Sequence, residues 1–293
     1  MSTKEFLDAV ASDHPDRTEE CAKRLEDGLS QIESADDVSP YSGWVVHVFG
    51  EHLGQWERGA DLVTRMQSLP QAQGSDAATG ALRRGLAALR FAGGDASAVN
   101  DLDAPDLAQV MCAVCTTHVA RHETDAAIAA LRRALDAAAP GLPDKHAAIR
   151  SLAVAGNNLS AELEEKPELT DVERDAMLLA AQTGLTYWKS AGTWLQEKRA
   201  ESQLARCLLR AGQADAAREH IVRSLAICDA NSAPAFERFF AEALLARIEQ
   251  RSGDAAAFED AKARALEHYV AIPVDEQKWC RDALAALGIP ADQ

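Results

Sequence analysis

The chain has 293 residues, of which 47% are hydrophobic and 5% aromatic, and its 46 acidic and 30 basic side chains give a formal net charge of -16. This length is enough for two ordinary domains or for one extended repeat array, with a large core in either case. The negative charge repels nucleic acid phosphates and anionic membranes over most of the surface, so we expect neither kind of partner.

The composition predicts an almost entirely α-helical protein. Alanine and leucine have to supply most of the core, and both have high helix propensity. The N-terminus lacks a basic start followed by an apolar segment, and no stretch reaches the roughly 18 apolar residues of a membrane span, so we expect a cytoplasmic protein. Scattered cysteines in a long chain are typical of reduced, buried thiols. They are Cys21, Cys112, Cys115, Cys207, Cys228 and Cys280.

Helix-start and helix-end signals divide the first half of the chain. Residues 1–38 are expected to form two capping helices, the second beginning at Pro15, because proline suits the first turn of a helix. Ser39 and Pro40 repeat that signal, and Gly54 separates the resulting helix from the next. The helices predicted in this half are about 4–12, 15–33, 40–53, 56–68, 76–92, 104–121 and 124–138.

The second half begins with a predicted helix that ends at the charged loop EEKPELTD. Thr170 and Glu173 form a capping-box pattern, so the next helix is predicted to start near Asp171 and to end at Gly192. A last helix, Val274 to Leu287, would cover the exposed end of a helical stack. The other helices predicted here are about 144–164, 194–211, 234–251 and 255–270, with one more after Gly212.

One helical hairpin in this half has a clear pattern of small and bulky residues. Alanines let two antiparallel helices approach closely, large aliphatic residues fill the seam, and a glycine suits the end of the first helix. The positions are Ala205, Leu208, Gly212, Ala217, Ile221 and Ser224. The same offsets return at Cys115, His118, His122, Ala127, Leu131 and Ala134, and more loosely at His47, Gly50, Gly54, Gly59, Val63 and Met66.

Helix pairs that recur at about 34 residues with these offsets resemble tetratricopeptide repeats. The segment Asn157-Asn158-Leu159-Ser160 looks like the first helix of many bacterial members, and RCLLRAGQADAAREHIVRSL is similar to their hinge and second helix. The resemblance implies a right-handed α-solenoid of about 5–7 antiparallel helix hairpins. It would divide the chain into a cap at 1–38, an array at 39–271 and a C-terminal cap at 272–293. It also implies a concave face that binds peptides or partner proteins, generally without catalysis.

The resemblance places the inner face of each first helix in a groove. The residues implied are Tyr41, Trp44, Cys112, Thr116, Asn157, Asn158, Arg199, Ser202, Arg206, Phe240 and Arg247. Arginine binds carboxylates bidentately, asparagine pairs with backbone amides, and an aromatic ring supplies an apolar anchor. The set suits an extended peptide or an acidic tail. The alternative is structural, with Asn158 bracing its own repeat and the arginines paired with Glu162, Glu197, Glu201 or Asp215.

Two clusters offer chemistry instead. Cys112, Cys115, His118 and His122 have ligand types that suit zinc or copper, but one straight helix cannot easily surround an ion, and the repeat register explains the same residues as seam packing. His47, Glu51 and His52 are interpreted as surface or seam residues, because no further partner is predictable. The aromatic patch YWKSAGTW is interpreted as packing between repeats.

The sequence has no glycine-rich phosphate loop, no serine nucleophile elbow and no HExxH motif. We therefore predict a non-enzymatic binding or adaptor protein without a cofactor, whose partner is a protein or peptide. The alternatives are an enzyme or metal-binding subunit that uses the Cys112 to His122 cluster or the His47 and Glu51 group, and a peptide-sensing regulator.

Overall fold

The computed structural model describes residues 2–290, and within that range every regular element is helical, as the composition predicts. The chain divides into two compact units, Met1–Ala155 and Gly156–Gln293. Successive helices pack against each other within each unit, which is compatible with a helical repeat. Among the helices of residues 2–290, none combines the length and the apolar character that a membrane crossing requires.

The first unit contains seven α-helices and the start of an eighth within the part of the chain that the structure describes. They are α1 (Thr3–Asp13), α2 (Thr18–Asp27), α3 (Ala35–Val45), α4 (Trp56–Gln67), α5 (Asp76–Ala92), α6 (Ala104–Ala120), α7 (Thr124–Ala138) and α8 (Ala147–Glu165). A π-helix, Val46–Leu53, continues α3 directly. Short 3-10 turns lie at Leu29–Gln31 and Ala96–Val99.

Helices α1 to α5 share one hydrophobic core. Tyr41 and Phe49 are fully buried in it. The Tyr41 hydroxyl donates a hydrogen bond of 2.7 Å to the Leu25 carbonyl, and its ring stacks on Phe6 at 5.8 Å. The two N-terminal helices, expected as a cap, therefore supply core residues to the same unit as α3.

Two predicted helix boundaries in this unit were wrong. The second helix, predicted over 15–33, is confined to Thr18–Asp27, and the helix predicted from Pro40 begins at Ala35. The earlier start is fixed by a capping box, in which the Asp37 carboxylate accepts a hydrogen bond of 2.8 Å from the Ser34 backbone N–H. Pro40 consequently lies inside α3, beyond the first turn where proline is best tolerated.

The second unit contains the rest of α8 and the helices that follow it. They are α9 (Asp171–Ala191), α10 (Trp194–Arg210), α11 (Ala214–Ala230), α12 (Ala235–Ser252), α13 (Ala255–Val270) and α14 (Arg281–Ala286). The capping box predicted for Thr170 and Glu173 is confirmed. The last predicted helix, 274–287, is shorter than expected, because a 3-10 turn at Gln277–Cys280 precedes α14.

The α10–α11 hairpin forms as its pattern predicts. Ala205, Ala217 and Ile221 are fully buried at the seam, and Gly212 has a φ of 78° at the turn. That left-handed conformation is accessible to glycine at little cost. The hydroxyl groups of Ser202 and Ser224 lie 2.9 Å apart across the two helices.

Helices α8 and α9 approach each other backbone to backbone at Gly156. A Cβ atom on this residue would lie 2.6 Å from the Ala180 carbonyl oxygen and 2.7 Å from the Gly184 nitrogen. No side chain fits between the two helices at this point, so the absence of one at Gly156 fixes their separation.

Candidate functional site

A cleft of about 600 Å³ in the unit Gly156–Gln293 contains most of the predicted groove residues of that unit. Helices α8, α10 and α12 supply its walls, and α14 contributes at one side. Of the predicted residues, those that line it are Asn157, Arg199, Ser202, Arg206, Phe240 and Arg247. Asn158 is half-buried beside Asn157 and does not line the cleft. Residues separated by up to 90 positions in sequence thus share one surface.

A second cleft of about 490 Å³ continues the first, since both include Arg206, Leu244 and Arg247. The basic residues that line the two clefts are Lys198, Arg199, Arg206, Arg210, Arg247 and Arg251, and the acidic ones are Glu164, Glu237 and Asp282. Six positive charges against three negative ones leave an excess of three positive charges. The clefts are therefore basic on a chain whose net charge is -16.

One wall of the larger cleft is held by a buried ionic cluster. Lys198 is 2% exposed, and its Nζ donates hydrogen bonds to the Glu237 carbonyl at 2.9 Å and to Glu237 Oε2 at 3.0 Å. Arg199 Nε donates to Glu237 Oε1 at 3.0 Å. Burial raises the pKa of Glu237, but the hydrogen bond from Arg199 and the charge of Lys198 outweigh it, so that the net pKa is lowered. Glu237 is therefore an anion that positions both cations.

Arg206 and Arg247 make fewer hydrogen bonds than Arg199. Arg206 Nε lies 3.3 Å from Glu164 Oε2 but makes no hydrogen bond within residues 2–290, and the same guanidinium donates to the Gln203 side chain. Arg247 is exposed, and no hydrogen bond or ion pair to it occurs in the described part of the chain. The carboxylates that contact Arg199 and Arg206 are thus Glu237 and Glu164, which were not among the expected partners. The guanidinium of Arg247 is available to a ligand.

Two aromatic rings form the apolar part of the cleft. Phe236 and Phe240 are half-buried, and their ring centroids lie 4.9 Å apart in an edge-to-face arrangement. Phe240 also contacts the fully buried Phe239 at 5.1 Å, which anchors it to the core of α12. A ligand that reaches Arg247 therefore meets an apolar surface within the same cleft.

The predicted groove residues of the first unit have other surroundings. Tyr41 is fully buried and Cys112 is 2% exposed, so neither has the surface that contact with a ligand requires. Thr116 is half-buried. Trp44, also half-buried, packs edge-on against the rings of His14 at 5.2 Å and His47 at 5.3 Å. Tyr41 and Cys112 thus belong to the core, and Trp44 belongs to a histidine cluster.

The motif of Cys112, Cys115, His118 and His122 does not form a metal-ligand cluster within residues 2–290, because no three of its members bring ligand atoms together. Burial raises the pKa of the Cys115 thiol to about 12 and that of Cys112 further, which disfavours the thiolates that bind metals. His118 Nδ1 lies 2.6 Å from the Glu123 carboxylate, and His122 has a φ of 57° at the turn. The buried thiols agree with packing at the helix seam.

His47, Glu51 and His52 lie together, and the end of α1 adds His14, which was not predicted from the sequence. His47 Nδ1 is 2.7 Å from Glu51 Oε2, and its Nε2 is 3.2 Å from His14 Nε2. The pKa of His52 is lowered mainly by burial and further by the neighbouring histidines His47 and His14. The signal for His14 in the sequence is weak, since 33 residues separate it from His47.

Comparison with known proteins does not assign either site. No family model matches the chain, and no curated protein is returned as a relative.

Proposed function

We propose that the chain is a non-enzymatic binding or adaptor protein that takes an acidic, extended segment of a partner protein into the cleft formed by α8, α10 and α12. In this proposal the helix hairpins are tetratricopeptide repeats with the right-handed superhelical sense of that family. The observation that carries it is the exposed Arg247, which has no partner among residues 2–290 and lies beside Arg206 and an aromatic pair.

Each group in the cleft has a separate role in this proposal. Arg247 and Arg206 bind carboxylates through their paired N–H donors, and Asn157 pairs with a backbone amide of the bound segment. Phe236 and Phe240 receive one apolar side chain as an anchor. An exposed ion pair contributes at most about 1 kcal/mol, so affinity requires the charges and the anchor together. A peptide that combines acidic and apolar residues meets that requirement.

The test uses two fluorescent peptides of equal length, one alternating glutamate and leucine and the other alternating lysine and leucine. We expect the glutamate peptide to bind and the lysine peptide to bind at least tenfold more weakly in fluorescence anisotropy. Arg247→Glu should lower the affinity for the glutamate peptide at least tenfold, which corresponds to about 1.4 kcal/mol in binding free energy. Equal binding of the two peptides, or unchanged binding by Arg247→Glu, would refute the proposal.

Arg223→Glu is the matched control, because Arg223 is also exposed but lies on α11 outside the cleft, paired with Glu219 at 3.1 Å. It should bind the glutamate peptide within about twofold of the wild type. Circular dichroism of both variants verifies the helical fold. A pull-down from native lysate with untagged protein, repeated with Arg247→Glu, then identifies the natural partner.

A further inference from the structure

Three imidazole rings converge in the unit Met1–Ala155, away from the basic cleft in sequence and in chemistry. His14 follows the last residue of α1, and His47 and His52 belong to the π-helix. His47 Nε2 lies 3.2 Å from His14 Nε2 and 3.1 Å from His52 Nε2. One nitrogen atom from each ring lies within 4.8 Å of the other two. Three nitrogen atoms, one from the residue that follows α1 and two from the π-helix, therefore lie close enough together to share one ion.

The π-helix is what brings His47 and His52 together. In an α-helix each residue advances by 100°, so residues five apart point about 140° away from each other. A π-helix closes its hydrogen bonds between residues i and i+5, and such wide turns occur frequently at functional sites. Here the wide turn places His52 and Glu51 against the same ring, that of His47.

The hydrogen bonds at the opposite ring nitrogens define the tautomers. His14 Nδ1 lies 2.8 Å from the Ala11 carbonyl oxygen, which can only accept, so this nitrogen carries the proton. His47 Nδ1 likewise donates to the Glu51 carboxylate. In neutral rings the Nε2 atoms of His14 and His47 then both carry lone pairs, and they face each other at 3.2 Å. That contact is repulsive unless a proton or a metal cation lies between the two atoms.

The spacing fits a transition metal. Zinc binds imidazole nitrogen at about 2.0–2.1 Å, and a tetrahedron of that size has edges of about 3.3–3.4 Å between its ligand atoms. The Nε2 atom of His47 lies 3.2 Å from that of His14 and 3.1 Å from that of His52, both close to this value. Metal-binding histidines also donate their second N–H to a carboxylate or a backbone carbonyl, which are the partners of His47 and His14 here.

We propose that His14, His47 and His52 bind one divalent first-row transition-metal ion through their Nε2 atoms, with zinc as the reference ion. Imidazole suits zinc, copper and nickel alike. Glu51 holds the ring of His47 in orientation, and Trp44 supports the rings of His14 and His47 from the side. The site does not depend on the function proposed for the cleft.

The test measures zinc binding to full-length protein that has no affinity tag and has been stripped of metal. Isothermal titration with zinc chloride at pH 7.5 should show one equivalent bound. His52→Ala and His14→Ala should each weaken that binding at least 100-fold. The His52 side chain is exposed, so its variant keeps the proposal testable if His14→Ala folds poorly. Glu51→Gln should bind about 10–100-fold more weakly than the wild type.

His268→Ala is the control for binding to an unrelated histidine, since His268 lies on α13. It should bind zinc as the wild type does. Substitution with cobalt(II) gives a second readout, because its visible absorption depends on the geometry and the ligands of the bound ion and should disappear in His52→Ala. The proposal is overturned if the wild type binds no stoichiometric zinc, or if His52→Ala and His14→Ala bind it as tightly as the wild type.

Discussion

Replacement of Lys198 by methionine tests the buried ionic cluster beside the basic cleft. Methionine matches the length and shape of the lysine stem but lacks the ammonium group. The substitution removes the hydrogen bonds of 2.9 and 3.0 Å to the carbonyl and the carboxylate of Glu237. Lys198 is 2% exposed and Glu237 is 7% exposed, so water cannot easily take the place of the lost donor.

The expected loss in the free energy of unfolding depends on the contacts of Glu237 that remain after the substitution. Removal of one partner from a buried ion pair costs about 3–5 kcal/mol, because a charge is left without compensation. Arg199 still binds the Glu237 carboxylate after the substitution, so we expect the lower end, about 3 kcal/mol. At about 2–4 °C per kcal/mol for a unit of this size, the melting temperature should fall by about 6–12 °C.

Differential scanning calorimetry is the appropriate assay, because it resolves the transition of each unit if the two unfold separately. Glu237→Gln added to Lys198→Met should recover about 2 kcal/mol relative to the sum of the single costs, since the carboxylate that has lost the Lys198 charge is then replaced by a neutral amide. Lys4→Met serves as the control, because Lys4 is exposed and pairs with Asp8 on the same helix. A loss below about 1 kcal/mol for Lys198→Met, or strictly additive costs, would refute the reasoning.

Three further predictions concern α8 and α9. Thr170→Ala should lower the free energy of unfolding by about 1 kcal/mol, because it removes a capping side chain. Urea denaturation measures this loss, and an unchanged free energy of unfolding would contradict the role of Thr170 as a cap. Hydrogen bonds from Lys166 and Thr170 lower the pKa of Glu173 to about 2, below its value of about 4.3 in the unfolded chain. The carboxylate therefore stabilises the fold above about pH 4 and loses that effect as the pH falls towards 2. In Glu173→Gln the free energy of unfolding should consequently depend less steeply on pH between about 4 and 2 than in the wild type. An unchanged pH dependence would disprove this prediction. Gly156→Ala should lower the free energy of unfolding by about 1–3 kcal/mol through overpacking, and about 1 kcal/mol of that loss should be regained through higher helix propensity. A rise in melting temperature would instead show that the two helices can move apart.

Local signals in the sequence predicted many helix ends correctly. The Thr170 and Glu173 pair and the glycines Gly54 and Gly212 act on their immediate neighbours, so their effect can be read without knowledge of the fold. Pro40 misled the prediction because proline tolerates the first helical turn without specifying it, and the Ser34 capping box lies upstream. Helix boundaries that depend on such competition need the tertiary structure.

The cleft was predictable in part. A constant repeat offset placed Arg199, Arg206 and Arg247 on one surface, and the structure brings them into one cleft. The carboxylates that contact them were not predictable, because Glu164 and Glu237 belong to neighbouring helices whose distance from the arginines is set by packing. The sequence offers no rule for that distance.

The complete histidine cluster could not be found from spacing alone, although the sequence groups His47, Glu51 and His52. Its members His14 and His47 are far apart in sequence, and periodicity analysis assumes an α-helical turn, which would separate His47 from His52. A pattern of apolar residues does not distinguish an α-helix from a short π-helix.

The widened turn at Val46–Leu53 relaxes a constraint that regular helices impose. One residue inserted into an α-helix normally rotates everything downstream by about 100°. Here the extra length is taken up within the turn, so that adjacent residues, Glu51 and His52, reach opposite nitrogens of one ring. A deletion of a single amino acid between His47 and Glu51 would keep every histidine yet remove this double approach. In this π-helix, the number of residues between His47 and Glu51 determines the contacts of the His47 ring as much as the identity of the residues does.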